Sequence, residues 1–279
     1  MKKVLVYSIV SFWLIMAALF VRREVIPSLY AQPLMGYAAL RAYAQLNAGY
    51  QMGVFTPNQT RIGTIKTTYQ FKANGNCEIA TKTTIDLEKS SLFARALGSP
   101  KLRDNKLFEL WSNVIIGPDS RLKQFQIACD SPVLSGFVDG SVKGNSIQVT
   151  LNYEGTRTET AIPITEDDVI SSGFMAVGTL PDLQVGRSWR LRMFDPISFS
   201  FSTATARVRR HTKIHLRGEW YPVYEVELYH GPVVARAWVN ESGDVLKEEA
   251  FAVVLIREPL PHEEPPRPAR SSTTMPAAQ

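Results

Sequence analysis

The sequence predicts a mainly β protein: a large curved antiparallel sheet (a half-barrel) with a short covering helix, preceded by an N-terminal transmembrane helix. Three observations carry this. Beyond Gln51, segment after segment alternates apolar and polar residues between Gly, Asn, Asp and Pro punctuation. Helical patterning is confined to two short stretches. And residues 4–21, "VLVYSIVSFWLIMAALFV", contain no charge. The chain thereby divides into an anchor or signal (1–24), a helical linker (25–50), a β domain (51–257) and a Pro-rich tail (258–279).

The apolar N-terminal run lies between Lys2-Lys3 and Arg22-Arg23. Its length as a helix, about 27 Å, matches the ~30 Å hydrocarbon layer once the flanking cations snorkel. A cleaved signal peptide would end in a small-x-small site, but Leu19, Phe20 and Val21 run straight into Arg22-Arg23-Glu24. The reading is an uncleaved anchor in the bacterial inner membrane, with the body of the chain in the periplasm. Secretion after cleavage is the alternative.

Residues 33–49, "PLMGYAALRAYAQLNAG", are Ala-rich and suit a short helix. The strands then follow. Segments 61–73 and 77–88 flank "NGN", and segments 106–116 and 121–129 flank "GPDS"; both are hairpin signals. Segments 146–154 and 156–164 meet at Gly155. Residues 188–195, 205–216, 221–229, 233–239 and 245–256 complete the series, with Pro163 and Pro222 marking edges or bulges. The exception is 164–186, where Thr165 and Asp168 open a weak helix ended by Pro181. A sheet this large must curl or split, and that helix would plug its concave side. The tail "EPLPHEEPPRPARSSTTMPAAQ" is too polar and Pro-rich to pack a core.

Charge narrows the function classes. A net +5, from 31 basic and 26 acidic residues, is mild and unsegregated, which argues against a nucleic-acid binder. The densest run, "ARVRRHTKIHLRGEW" (206–220), puts Arg207, Arg209, His211, Lys213, His215 and Arg217 on one face of a strand. His211 and His215 would then stand about 13 Å apart, too far for one metal ion. A three-residue turn would set Lys213 opposite Glu225 and His211 opposite Glu227, making the stripe a solvated face of weak ion pairs. Arg207, Arg209, Lys213 and Arg217 are the candidates for an anionic surface contact.

No nucleophile elbow, P-loop or zinc-protease motif occurs. The sequence points to no catalytic residue, metal or cofactor. A Cys77 or Cys129 thiol with His230 is the enzymatic alternative, a hydrolase; a purely structural scaffold is the other. Whether Cys77 and Cys129 form a disulfide is left open, although a plain meander would hold them apart. Phe174, Met175, Trp189, Phe194 and Trp220 are the candidate lining of a cavity between the plug helix and the sheet, suited to a lipid or acyl ligand.

Three stretches together, 53–69, "MFDPISF" (193–199) and 221–249, resemble uncharacterised bacterial envelope proteins, some associated with transglutaminase-like proteins. Gly186, Trp189, Asp195, Pro196, Trp238, Gly243 and Leu246 carry the likeness. It implies a curved β half-barrel distantly similar to lipoprotein-carrier (LolA-like) folds, and no catalytic residue. The expected role is a membrane-anchored binding domain for a lipid or for a partner in an envelope complex.

Overall fold

A computed structural model describes residues 2–21, 32–33, 36–89, 107–131, 135–153, 155–164, 168–169, 180, 183–195, 200–230, 233–250 and 253–259. Helix α1 (Lys2–Phe20) is followed by a two-residue strand, β1 (Gln32–Pro33), and helix α2 (Gly36–Leu46). Then come β2 (Gly49–Phe55), β3 (Arg61–Phe71), β4 (Cys77–Asp86), β5 (Leu107–Ile116), β6 (Leu122–Asp130), β7 (Ser135–Lys143), β8 (Ser146–Tyr153) and β9 (Thr156–Pro163). The second half holds β10 (Asp168–Val169), β11 (Ser188–Asp195), β12 (Ser200–Leu216), β13 (Glu219–His230), β14 (Val233–Val239), β15 (Val245–Ala250) and β16 (Val253–Glu258).

All of these strands belong to one sheet. Strands β2 to β9 and β11 to β16 are two antiparallel meanders, and pairing of β16 with β2 joins them. The short β1 and β10 add to β11 in parallel. Among the described residues β9 pairs only with β8, so the sheet is open rather than closed. Residues as distant in the sheet as Ile147 on β8 and Val208 on β12 lie in one buried cluster. The sheet therefore wraps a single core, with an inner, dry face and an outer, wet one.

The inner face follows from alternation. Met52 and Val54, Leu110 and Val114, and Phe125 and Ile127 each sit an even number of residues apart within one strand, and all are buried. Ile65, Ile85, Val138 and Val149 extend the same face across neighbouring strands. The outer face carries ion pairs such as Lys82–Glu109 (2.9 Å), Lys72–Glu78 (2.8 Å) and Arg236–Glu227 (3.8 Å). Gly140 shows how tightly the inner face is filled: a methyl there would fall 2.0 Å from Phe125 Cε1. Phe125 is buried, so Gly140→Ala is expected to cost about 1–3 kcal/mol. The readout is a lower urea midpoint with unchanged slope; an unchanged midpoint would show that Phe125 has room to move.

Several expectations need correction. The helix expected within 33–49 is present as α2 over 36–46, but it packs on the inner face, with Tyr37 and Ala44 buried, rather than serving only as a link. The amphipathic spacing of these residues, rather than their alanine content, decides this. In the stretch expected as a plug helix, Asp168–Val169 is a strand beside β11; the rest of 165–179 lies outside the described residues. The run 245–256 is two antiparallel strands, not one, turning between Ala250 and Val253. Strands β2 and β7 were not singled out in the sequence, since Gly-rich "GYQMGVF" and "SGFVDGSVK" blur the alternation.

The register of β12 on β13 also differs. Arg217 and Gly218 both take positive φ (52° and 86°), so two residues close the hairpin. A bulge between Val208 and Arg210 then shifts the pairing by one. Glu225 consequently meets Arg210 (2.7 Å) and Glu227 meets Arg209 (3.0 Å). Lys213 faces Pro222 and His211 faces Tyr224, not the two glutamates.

Among the described residues no helix is long and apolar enough to cross a membrane. The side chains of α1 are described at residue 7 and from residue 9 to 21. There Trp13, Leu14, Ile15 and Phe20 are each more than half exposed, on every side of the helix.

Candidate functional site

The inner face is not uniformly apolar where α2 crosses it. Tyr43 on α2 donates its hydroxyl to Asp244 Oδ1, in the turn between β14 and β15, at 2.5 Å. Arg257, near the end of β16, donates to the same hydroxyl at 3.1 Å. The Arg257 guanidinium lies 3.0 Å from Asp244 and 5.5 Å from the centre of the Tyr50 ring. Its Nη1 is an ion-pair partner of Asp244 but points off the hydrogen-bond direction, and so is a buried donor without an acceptor. Tyr69 packs edge-on against Tyr43 at 5.8 Å and beside Tyr50 at 6.4 Å. At the other side of α2, Arg41 donates to the Gly117 carbonyl (3.1 Å) and lies over Phe71 (5.2 Å). Polar latches thus hold α2 across the sheet.

This setting displaces proton equilibria. Burial, countered by the bond from Arg257, pushes the Tyr43 phenol up to about 12. Burial also raises Tyr50 and Tyr69. Burial works against the charge of Arg257, yet Tyr43 and Asp244 more than compensate and leave it above its ordinary value.

Glu248 is the group with no compensation. It sits on β15 between Ala237 of β14 and Leu255 of β16, and pairing residues share a face, so its side chain points inward with Leu255. It is 6% exposed, and no donor among the described residues meets its carboxyl. Burial alone pushes its pKa up to about 8, so the neutral acid predominates at pH 7. It is near enough to bear on the proton of Tyr50. A buried carboxyl without a partner costs free energy that the fold must offset elsewhere. Neutral, it can both donate and accept one hydrogen bond. Sequence reasoning missed it, because "VLKEEA" reads as an outward acidic pair; Glu249 is indeed outward, 2.6 Å from Lys247.

Of the predicted lining residues, the two whose side chains are described, Trp189 and Trp220, stand far apart. Trp189 is on the inner face and 2% exposed. Trp220 shares that face but lies beyond the sheet's neighbouring strands and is 68% exposed. Their partners Ala206 and His215 are nine positions apart on β12, roughly 30 Å. The reason is the length of β12 and β13, which carries the hairpin tip past the core. Phe174 and Met175, and the side chain of Phe194, lie outside the described residues.

Two of the four predicted surface cations have a bonded partner. Arg207 faces Glu227 across the strands and Arg209 pairs with that glutamate. Arg217 reaches the Arg257 carbonyl. Lys213 stays exposed opposite Pro222. His211 and His215 place their rings against Tyr224 (4.9 Å) and Trp220 (5.2 Å).

The thiols point away from nucleophilic use. No disulfide joins Cys77 to Cys129: Cys77 pairs with Ile116 and Cys129 with Leu110, about 20 Å along β5. Burial pushes Cys129 up to about 11 and raises Cys77 as well, which suppresses the thiolate. His230 bonds instead to Ser202 Oγ at 2.7 Å.

No family model matches the chain, and no curated protein does. Among solved structures it is similar to the crystal structure of a β-barrel-like protein of a domain of unknown function, DUF1849, from Brucella abortus. Identity is 10%, coverage is 76% of this chain and 93% of that one, and the TM-score is 0.43. So distant a likeness bears on neither the lipoprotein-carrier similarity nor the association with transglutaminase-like proteins.

Proposed function

We propose that the protein is a membrane-tethered, non-enzymatic binding domain facing the periplasm, whose inner face receives an apolar ligand such as an acyl chain through a polar group that meets Glu248. The buried carboxyl without a donor carries this reading. A ligand hydroxyl, amide or carbonyl would supply the hydrogen bond that the fold leaves unmade, and Leu255 on the paired strand, with Tyr50 close by, would take its apolar part. The tether rests on the uncharged run 4–21, in which the apolar side chains described from residue 9 to 21 are exposed and favour a hydrocarbon surrounding. The raised thiols favour binding over hydrolysis by a cysteine nucleophile.

The test uses the full-length protein extracted from its membrane in mild detergent and weighed intact by native mass spectrometry. The expected result is a bound apolar molecule that persists in Glu248→Gln, which still hydrogen-bonds, and is depleted in Glu248→Leu. Bare wild-type protein, or equal occupancy in all three, sinks the proposal.

A further inference from the structure

The β12–β13 hairpin outruns its neighbours. Pairing of β11 with β12 stops at Arg207, and pairing of β13 with β14 stops at Tyr224. From Arg210 to Val223 the two strands pair with each other and, among the described residues, with no third strand. The tight turn at Arg217-Gly218 closes this two-stranded arm. Paired residues and every second residue share a face, so His211, Lys213, His215, Trp220 and Pro222 form one row. All five are exposed.

Two features of that row go together. Trp220 is the most exposed tryptophan outside α1, and its ring lies against His215 rather than in any core. Lys213, beside it on the partner strand, faces a proline and pairs with no carboxylate among the described residues. The nearest acid to His211 is Glu241 at 3.9 Å, itself 70% exposed. The other row of the arm is held to the body, with Val223 buried and Arg217 bonded to the Arg257 carbonyl, so the His211–Trp220 row is the side left to solvent. Tryptophan combines an apolar body with a polar N–H and collects where apolar and aqueous phases meet. A nearby cation adds attraction to acidic headgroups, about 1 kcal/mol each at the surface.

We infer that this arm rests in the headgroup layer of an anionic membrane, with Trp220 inserted at the interface and Lys213 on lipid phosphate. The inference rests on the tether proposed above, since a chain held in a bilayer by residues 4–21 keeps the arm within reach of that surface. It commits to lipid because an aromatic tip with unpaired cation suits a headgroup layer, whereas a protein partner would be expected to answer Lys213 with a fixed acid. Glu219, next to Trp220, is occupied by the Tyr221 hydroxyl at 2.8 Å and does not neutralise Lys213.

The experiment reconstitutes the full-length chain into vesicles of dibrominated phosphatidylcholine with phosphatidylglycerol, where bromine quenches tryptophan on contact. Parent, Trp13→Phe and Trp220→Ala are compared. Trp13 lies in α1 and reports the tether; Trp220 reports the arm. The expected result is that each variant loses its own part of the quenching. Lys213→Glu should lose the Trp220 part when phosphatidylglycerol is present. If Trp13→Phe loses quenching but Trp220→Ala matches the parent, the arm stands clear of lipid and the inference falls while the tether survives. The opposite pattern keeps the arm and removes the tether, and no quenching in the parent overturns both. Because Trp220 is exposed, its replacement leaves the fold intact, which unchanged circular dichroism will verify.

Discussion

Glu248→Gln is expected to abolish most of the fall in stability that the parent shows between about pH 4.5 and 8. The folded carboxyl holds its proton up to about 8, whereas in the unfolded chain it titrates near 4.5. Within that window the unfolded state has released the proton and the folded state has not. Raising the pH therefore favours unfolding. The favourable contribution is whole below the unfolded value and is lost as pH rises through the folded one. At ~1.4 kcal/mol for each pH unit between those two values, the loss reaches several kcal/mol, an upper figure for a group buried this deeply. Glutamine keeps the shape and carries no proton to lose. Urea midpoints at acidic and mildly alkaline pH should diverge in the parent and converge in the variant. Parallel behaviour would show that Glu248 finds a partner in solution.

Arg257→Met should lose about 2–4 kcal/mol, because it leaves Asp244 and the Tyr43 hydroxyl without their shared cation in a site only one-fifth exposed. The same change removes one of the two bonds that hold Tyr43 of α2 to the sheet, leaving the one to Asp244. Combining it with Asp244→Asn removes the stranded charge, so the double variant should be more stable than the two single losses summed would make it. Strict additivity in urea unfolding would mean that the ion pair contributes nothing and that α2 is held by packing alone. Backbone amide exchange in residues 36–46 should rise with Arg257→Met and reveal which bonds secure the helix.

The sheet was legible in the sequence wherever apolar residues recur every second position between strong turn signals. The boundaries at Cys77, Ser146, Ser188 and Val233 match the pattern because Asn-Gly, Gly-Asn, Gly-Arg and Gly-Pro punctuation leaves little choice. Register was not legible across the β12–β13 hairpin, since the turn closes on Arg217-Gly218 rather than on the three residues expected. A bulge at Arg209 shifts the partners of Val208 and the residues before it by one more. Alternation cannot show a bulge in a run where Val208-Arg209-Arg210 already breaks it. Trp220 was misplaced for a related reason: its face was right, but strand length put it past the core. Glu248 escaped notice because a glutamate in "KEE" is ordinarily wet, and only the pairing with Ala237 and Leu255 turns it inward. The basic run drew attention, and two of its five arginines and lysines, Arg209 and Arg210, are answered by Glu227 and Glu225.

The bond between β16 and β2 has a consequence for how the chain reaches this shape. Val254 pairs with Phe55, so one of the first strands of the sheet waits for the last one to be synthesised. Until then β2 has a partner on one side alone, and the two meanders are separate ribbons with raw edges at β2 and β16. Closing so long a loop is slow compared with forming either ribbon. A truncation a few residues before Val253 would therefore do more than shorten a terminus. It would leave the molecule as two unjoined halves, each with a sticky flank ready to pair with a neighbour's.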